Sequence, residues 1–412
     1  MTPGNRREFI LAAGAGVAGA WLAPSLAALE PAAVRAKIPL GLIGAGRQGR
    51  AILGELATLG GADVVAVCDS DESRLQAALR RAEGARGYGS LAEMLAKEAG
   101  LAAVVVATPT HQHREHALAA IAADKHVFCE TPLAHTLEDC AALASAARGS
   151  KRVLAAGFQG RSNPVYGLAR SFFKAGTLRE LSHLRAQNHR KNSWRMVGPT
   201  PERDRELNWH LDPKLSLGLL GELGAHQFDV FHWFLGRHPI SVRARGSLRL
   251  HRDGREIPDC VSAQFVFEDG LELDYSCSLV NSFEGRHEVF TGAMAAIKLA
   301  WTHGWMFKES DAPTQGWEVY ANRQQFHNEQ GITLIADATK LASQGKLQEG
   351  VGLPYNSLYY ALSDFLVSID AAKAPACSFS DAARSTSVGI LAHRALTSGA
   401  EVAIDPKQLE DL

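Results

Sequence analysis

Short apolar runs alternate with amphipathic stretches from Lys37 to about Ala156. The apolar runs are rich in β-branched residues and predict strands at residues 38–43, 64–68, 102–107, 126–129 and 153–156. The stretches between them have helical spacing and predict helices at 47–59, 72–81, 91–98, 113–123 and 137–148. Alternation of strand and helix is typical of βαβ units, so this part of the chain is expected to form a parallel sheet.

The pattern changes after Gly157. A helix is predicted at 164–174 and a strand at 181–187, and a polar, aromatic-rich loop follows from 188 to 212. Beyond it the pattern predicts a helix at 221–235, strands at 240–250, 260–267, 271–278, 286–291 and 296–301, and helices at 357–372 and 380–398. Tight turns such as Glu268-Asp269-Gly270 indicate a mostly antiparallel sheet. The predicted fold class is therefore α/β, with two different sheets.

The first 28 residues resemble a twin-arginine export signal. Arg6 and Arg7 precede an Ala/Gly-rich apolar run that ends near residue 26, and small residues follow it. A lipid-spanning anchor is the alternative, but the run is short and Pro24 interrupts its end. We expect cleavage near Ala27 or Ala28, release into the periplasm or another exported location, and no stable membrane insertion afterwards.

Length, charge and cysteine content limit the classes of protein to which this chain can belong. A chain of 412 residues exceeds one ordinary hydrophobic core, so two domains are expected. The formal net charge is −1, which provides no electrostatic attraction to nucleic acid or anionic lipid. The six cysteines are scattered, without a C-x-x-C pair or nearby histidines, which argues against a metal site and a disulfide scaffold. Cys68, Cys129 and Cys277 are predicted to be core residues.

A glycine-rich turn directly follows the first predicted strand. It reads Gly44-Ala45-Gly46-Arg47-Gln48-Gly49, and a predicted helix begins within it. In such a motif Gly44 permits the tight turn, Gly46 lets the backbone approach a pyrophosphate, and Gly49 allows strand and helix to pack closely. The alternative is a glycine-rich turn without a ligand, but the strand, turn and helix occur in the order that dinucleotide binding requires.

Asp69 ends the second predicted strand, where a carboxylate can bind the ribose hydroxyls of NAD(H). The same carboxylate would repel the 2′-phosphate of NADP(H), so NAD(H) is the favoured cofactor. NADP(H) stays possible, because Arg47, Arg50 and Arg74 lie close to this position in the sequence.

Further motifs identify a family. The segments are ATPTHQH at 107–113, ADKHVFCETPLA at 123–134, GFQGRSNP at 157–164, GELGAHQFD at 221–229 and WFLG at 233–236. Together with the glycine-rich turn they resemble the glucose-fructose oxidoreductase, inositol dehydrogenase and rhizopine-catabolism proteins, the Gfo/Idh/MocA family. The resemblance covers nearly the whole chain after the export signal.

The resemblance implies a Rossmann domain at 37–156 that binds NAD(P), followed at 157–412 by a domain for substrate binding and oligomerisation. This second domain is expected to have an open, mostly antiparallel sheet through which copies form a homo-oligomer. The family acts mostly on sugars, polyols and their derivatives. By motif, five residues are expected on the cofactor side of the cleft in addition to the glycine-rich turn and Asp69: Thr108, Pro109, His113, Glu130 and Gln159.

Two residues depart from the family pattern. The usual Glu-Lys-Pro segment reads Glu130-Thr131-Pro132, and a threonine cannot act as an ammonium acid near neutral pH. An aspartate usually stands four residues before the site histidine, where this chain has Glu222. This second substitution keeps the charge but changes the reach of the side chain.

His226 is the predicted proton-transfer residue. On a regular helix Glu222 and His226 are four residues apart and would share a face, so that the carboxylate orients the imidazole and raises its basicity. We therefore assign catalytic roles to His226, Glu222 and Thr131. The alternative for His226 is a hydrogen-bonded structural histidine.

Candidate substrate contacts cluster in the loop at 188–212. Aromatic faces beside multi-donor side chains suit a sugar ring, although a solvated loop is the alternative for each residue. The candidates in this loop are His189, Lys191, Trp194, Trp209 and His210, and Arg161 is a further candidate outside it.

The leading hypothesis is hydride transfer at a secondary alcohol of a sugar. Because an exported enzyme has no ordinary pool of nicotinamide to exchange with, the cofactor is expected to be tightly bound and regenerated in place. Paired oxidoreduction of two sugars would satisfy this condition. So would glycoside cleavage through transient oxidation, elimination and re-reduction. A non-catalytic sugar or nucleotide sensor is the third alternative, because Thr131 replaces the usual lysine.

Overall fold

The computed structural model describes residues 34–412 apart from 316–317, 319–320, 327–328, 336–340, 342–343 and 347–349. The predicted export signal at 1–28 lies outside the described residues. Within the described part of the chain, no helix is both long and apolar enough to cross a membrane.

The first half of the chain forms a six-stranded parallel sheet. Its strands are β1 (Ile38–Ile43), β2 (Ala62–Cys68), β3 (Arg86–Tyr88), β4 (Ala103–Val106), β5 (His126–Cys129) and β6 (Leu154–Ala156). The helices between them are α1 (Arg47–Thr58), α2 (Glu72–Leu79), α3 (Leu91–Lys97), α4 (His113–Ala122) and α5 (Leu137–Gly149). The strand order is β3-β2-β1-β4-β5-β6, so the order reverses between β1 and β4. In this doubly wound arrangement, ligands bind outside the carboxyl ends of the central strands.

The second half forms a ten-stranded sheet among the described residues. The elements that precede β8 in the chain are α6 (Pro164–Lys174), β7 (Leu181–His189), α7 (Pro201–Leu207) and α8 (Ala225–Leu235). The strands that follow are β8 (Ser241–Ser247), β9 (Cys260–Val266), β10 (Glu272–Ser278), β11 (Arg286–Gly292), β12 (Ala295–Ala300), β13 (His303–Lys308), β14 (Arg323–Phe326), β15 (Glu329–Thr333) and β16 (Val402–Ala403). The order is β14-β15-β13-β12-β11-β7-β10-β9-β8-β16, and β7 pairs with β10 in parallel. All the other described pairs are antiparallel, as predicted.

The chain ends in helices that return to the first sheet. They are α9 (Ser357–Asp370), α10 (Phe379–Ser398) and α11 (Pro406–Glu410). Phe365 of α9 is fully buried and its ring centroid lies 5.7 Å from that of Phe128 in β5. Burial of one such side chain contributes about 1.5–3 kcal/mol. Helix α9 follows the predicted domain boundary at 156/157 in the chain, yet it packs into the core of the first sheet. The boundary itself stays a prediction.

Local pattern predicted many elements to within a few residues, but it did not predict β3, α7, the strands β13 to β16 or α11. β3 has only three residues, with no apolar run to reveal it. Helix α7, inside the predicted loop, buries none of its residues, so it has no apolar face. The predicted helix at 221–235 begins instead with a π-helical turn, Leu220–Gly224, and continues as α8. Cys68, Cys129 and Cys277 are buried as predicted.

Candidate active site

The glycine-rich turn makes two close approaches within the protein. Gly44 has φ +95°, and a Cβ added there would lie 2.5 Å from the carbonyl oxygen of Ala107. A Cβ on Gly49 would lie 1.9 Å from the carbonyl oxygen of Gly44. Both glycines are therefore required by the fold itself, in the roles that the motif predicts.

Gly46 is different, because neither its backbone conformation nor a neighbouring protein atom requires a glycine at this position. Its φ of −64° suits any residue, and no atom lies within 4 Å of an added Cβ. Gly46 is the N-cap of α1, where no side chain caps the free N–H groups and no acidic residue occupies the first turn. Open space beside uncapped N–H groups fits the pyrophosphate of a dinucleotide.

Asp69 is held at the mouth of this turn. Its Oδ2 accepts a hydrogen bond of 2.7 Å from the backbone N–H of Ala45, and its Oδ1 accepts one of 2.8 Å from that of Asp71. Burial raises the pKa of Asp69, against the opposing effects of the Ala45 amide and nearby arginines. Arg50 and Arg74 line an adjacent groove. The position suits a ribose, and these arginines are two of the three that left NADP(H) possible.

Glu130 connects the end of β5 to the glycine-rich turn. Its side chain is buried, and Gln48 Nε2 donates a 2.8 Å hydrogen bond to its Oε1. The backbone N–H of Thr131 donates to Oε2 at 3.3 Å. Burial raises the pKa of Glu130 to about 7. Two predicted cofactor residues, 82 positions apart, thus meet at one edge of the sheet.

His113 holds the cleft together instead of facing it. Its side chain is buried, and its ring nitrogens lie 2.8 Å from the carbonyl oxygens of Pro132 and Thr108. It thereby joins the segment after β4 to the segment after β5. Pro109 is the N-cap of a short 3₁₀ turn, Thr110–Gln112. Burial lowers the pKa of His113 to about 4, so near pH 7 the neutral ring lies between Thr108 and Pro132 and its single N–H donates to one of these two carbonyl groups.

His226 and Thr131 come together as the resemblance implies. Nε2 of His226 lies 3.1 Å from Oγ1 of Thr131, while its Nδ1 is buried without a partner. Burial, followed by the charges of Arg286 and Arg190, holds the pKa of His226 well below its usual value. The ring is therefore neutral near pH 7, which is the protonation state a general base requires.

The predicted contact between Glu222 and His226 is not formed. Glu222 accepts hydrogen bonds from Thr110 Oγ1 at 2.9 Å and from the backbone N–H of Leu217 at 3.2 Å. Because Glu222 lies in the π-helical turn and His226 in α8, the two do not have the face-sharing geometry of a continuous α-helix. Burial raises the pKa of Glu222 to about 7. The Thr131 hydroxyl, and not Glu222, contacts the imidazole.

The structure separates the candidate substrate residues. Trp209 stacks on His210 with centroids 3.8 Å apart, and Trp194 lies 5.2 Å from His210. His111, from the segment after β4, lies 5.8 Å from Trp209, so this aromatic cluster borders the first sheet. Burial, followed by the charge of Arg47 in the glycine-rich turn, lowers the pKa of His210 to about 4.

Three other candidates lie elsewhere. His189 bonds Ser276 at 2.9 Å on the outer face of the second sheet, opposite to the buried Asn188. Lys191 is exposed. Arg161, near Gln159 in a 3₁₀ turn, forms buried ion pairs with Asp229 at 2.8 Å and Asp381 at 3.0 Å. An arginine so engaged stabilises the packing of α8 and α10 and is not free to bind a sugar.

One residue near His226 was not predicted. Arg286, at the start of β11, is directly opposite Asn188 of β7 and stacks over Trp301 at 3.5 Å. The alternation of β11 places Arg286, Glu288 and Phe290 on one face, so charged residues share the core face of a strand. This is the signal that could have identified the position.

A doubly wound sheet, a turn with uncapped N–H groups, a carboxylate at the end of the second strand and a half-buried neutral histidine are together typical of a nicotinamide-dependent oxidoreductase. Family models agree: residues 38–158 match "Oxidoreductase family, NAD-binding Rossmann fold" and residues 166–296 match "GFO/IDH/MocA C-terminal domain". The chain belongs to the Gfo/Idh/MocA oxidoreductase family.

Two curated relatives are inositol 2-dehydrogenases. That of Acidothermus cellulolyticus is 37% identical over 64% of this chain and 73% of its own length. Inositol 2-dehydrogenase 2 of Saccharopolyspora erythraea is 31% identical over 57% of this chain and 65% of its own length. The chain thus spans just under two thirds of one of these relatives.

Solved structures share the fold across the chain. Levoglucosan dehydrogenase in complex with NADH and L-sorbose superposes with a TM-score of 0.71 at 19% identity, covering 90% of this chain and 100% of that one. The WlbA dehydrogenase from Bordetella pertussis in complex with NADH and UDP-GlcNAcA gives 0.70 at 19% identity, covering 90% and 99%. At these identities the likeness establishes the fold.

Proposed function

We propose that the protein is a dehydrogenase of a sugar or sugar derivative that transfers hydride at a secondary alcohol. The observation that carries this proposal is the 3.1 Å contact between His226 Nε2 and Thr131 Oγ1, next to the glutamate that Gln48 of the glycine-rich turn binds. A bound nicotinamide would supply the hydride acceptor. The related inositol dehydrogenases and the fold shared with levoglucosan dehydrogenase support a polyol or sugar substrate.

In this mechanism the residues of the chain move one proton. His226 is neutral and half-buried, and it accepts the proton of the reacting hydroxyl. Thr131 bonds to the same nitrogen and can orient the substrate hydroxyl, but it has no cationic proton to give. Trp209 is half-buried beside His210 and can offer apolar surface to a sugar ring, whereas Trp194 is buried in the core behind His210.

We further propose that the protein is exported with its cofactor in place, and that copies assemble through the second sheet. The export signal resemblance at residues 1–28 supports the first idea. The outer face of β7 and β10, which carries the exposed Arg185 and Asp274, supports the second because it is free of covering helices on the described chain.

Nucleotide is expected to co-purify with the protein. Turnover with added NAD⁺ and one sugar should be slow, since Thr131 weakens the proton relay. Single-turnover reduction of the bound nucleotide should still be much faster than this steady state, because an exported enzyme gains nothing from rapid nucleotide release and that release limits the steady state. Stopped-flow absorbance of bound nicotinamide beside steady-state NADH production measures both rates. Fast multiple turnover with freely exchanging NAD⁺ would contradict tight binding. Absence of reduction by any sugar or polyol would contradict the dehydrogenase proposal itself.

The export proposal has its own test. Replacing Arg6 and Arg7 together by lysine keeps the charge but removes the planar guanidinium groups of a twin-arginine signal. We expect the double variant to remain in the cytoplasm on cell fractionation, while the parent is recovered outside it. Replacing Arg35, beyond the apolar run, by lysine is the matched control and should leave export unchanged. Equal export of the double variant and the parent would exclude this route.

A further inference from the structure

Two arginines share the inner face of the second sheet beside His226. Arg286 is directly opposite Asn188, and such pairs in an antiparallel sheet have side chains on one face. Arg190 follows two residues after Asn188 and donates to its Oδ1 from Nη2 at 2.9 Å and from Nε at 3.3 Å. Both guanidinium groups lie close enough to His226 to lower the pKa of its imidazole.

These positive charges are only partly compensated. Among the described residues Arg190 forms no ion pair, and its acceptor is a neutral amide. The Arg286 side chain is only 9% exposed, yet its Nε is buried without a hydrogen-bond partner. Arg286 forms one ion pair, with Glu288, whose Oε1 lies 3.6 Å from that Nε, too far for a hydrogen bond, while the other carboxylate oxygen accepts a hydrogen bond from Tyr166 Oη. Burial raises the pKa of Glu288, which reduces its ability to neutralise the arginine. Buried charge of this kind is costly unless a ligand pairs with it.

Trp301 holds the Arg286 guanidinium against the site. The ring centroid of Trp301 lies 3.5 Å below the guanidinium carbon and 6.4 Å from the His226 ring. The Trp301 backbone is in turn fixed, since its N–H donates to Tyr166 Oη at 3.2 Å and its carbonyl accepts from Asn163 at 2.6 Å. A stacked guanidinium keeps its N–H edges free for a planar acceptor.

We propose that the substrate carries an anionic group, a carboxylate or a phosphate ester, which Arg190 and Arg286 bind next to His226. The enzyme would then act on a sugar acid or a sugar phosphate in preference to the neutral sugar. The proposal rests on the proposed dehydrogenase function, because it names the substrate class of the same site. Guanidinium groups bind both kinds of oxyanion through charge-assisted, often bidentate, hydrogen bonds.

Anion binding would also change the basicity of the His226 imidazole. Arg286 and Arg190 both depress the pKa of His226. An anion between them offsets their field, so the pKa of the imidazole rises towards the working pH when the charged substrate is bound. A neutral sugar would leave His226 a weaker base, so the same two arginines would favour the charged substrate in binding and in catalysis.

The test uses matched sugars with the nucleotide-loaded protein. Glucose, glucuronate and glucose 6-phosphate differ only at C6, and a galactose set offers the same comparison with another ring. We expect calorimetric Kd and kcat/KM to favour at least one anionic member by about 10- to 100-fold over its neutral partner. Arg286→Gln and Arg190→Gln should each remove most of this preference. Arg185→Gln, on the outer face of β7, is the matched control and should retain it.

The outcomes of this comparison distinguish a carboxylate substrate, a phosphate substrate and a neutral one. Preference for glucuronate or galacturonate identifies a carboxylate, and preference for the phosphate esters identifies a phosphate. Equal or better use of the neutral sugars would overturn the anion proposal and leave the dehydrogenase function standing. If no member is oxidised, the calorimetry still decides charge preference, and the dehydrogenase proposal fails only if no other sugar or polyol reduces the bound nucleotide either. Thermal melting of Arg286→Gln checks its folding, and Arg190→Gln provides a second test of the same site.

Discussion

Replacement of His226 by asparagine is expected to lower turnover about 10²-fold or more with little change in fold. Asparagine can keep a hydrogen bond to Thr131 but cannot accept the hydroxyl proton near neutral pH. Because the imidazole is already neutral at pH 7, loss of a cation does not explain the effect. Single-turnover reduction of bound nicotinamide at saturating substrate measures the change, and the affinity for NAD should be retained.

A matched control lies on the same helix. His232 of α8 also has a buried Nδ1 without a partner, but it stacks on His238 with centroids 3.9 Å apart and away from Thr131. His232→Asn therefore reproduces the loss of a half-buried histidine without removing the contact with Thr131. If His226→Asn and His232→Asn reduce turnover equally, or if His226→Asn retains full turnover, the proton-transfer role must belong to another residue.

The parts of the site that local sequence encodes were predictable. The glycine-rich turn, Asp69 and the Glu130 segment all lie at strand ends, because strand, turn and helix follow one another within a few residues. The Thr131–His226 contact joins residues 95 positions apart, and only the family resemblance linked them. Spacing alone cannot supply such a contact, since it depends on how the two sheets pack.

The errors arise where backbone geometry departs from a regular period. Glu222 and His226 were assigned to one face of a continuous helix, but the π-helical turn Leu220–Gly224 changes the residue spacing. His189 was grouped with its loop neighbours, yet the longer extent of β7 places it on the outer face. Arg286 reaches the site through its register opposite Asn188, which no local pattern reveals. Strand pairing decided each side chain's direction in the last two cases.

Gly46→Val is expected to abolish tight NAD binding and to leave the fold intact. The backbone at Gly46 has an ordinary φ of −64°, and an added Cβ meets no protein atom within 4 Å, so the apoprotein has no reason to reject valine. The branched side chain would instead fill the space where a pyrophosphate approaches the N–H groups of α1, at a cost of several kcal/mol, roughly 10²-fold or more in Kd. Calorimetry with NAD⁺ and NADH, beside thermal melting, separates binding from stability.

Gly54→Val makes the same substitution on the same helix at an exposed position, where an added Cβ also meets no atom within 4 Å. Its cost is limited to helix propensity, so NAD affinity should match the parent. Gly44→Val should behave in the opposite way to Gly46→Val and prevent folding, because Gly44 has φ +95° and a Cβ would lie 2.5 Å from a carbonyl oxygen. A Gly46→Val protein that folds and binds NAD as tightly as the parent would show that the pyrophosphate does not lie at this turn. Loss of binding in both Gly46→Val and Gly54→Val would instead implicate the helix as a whole.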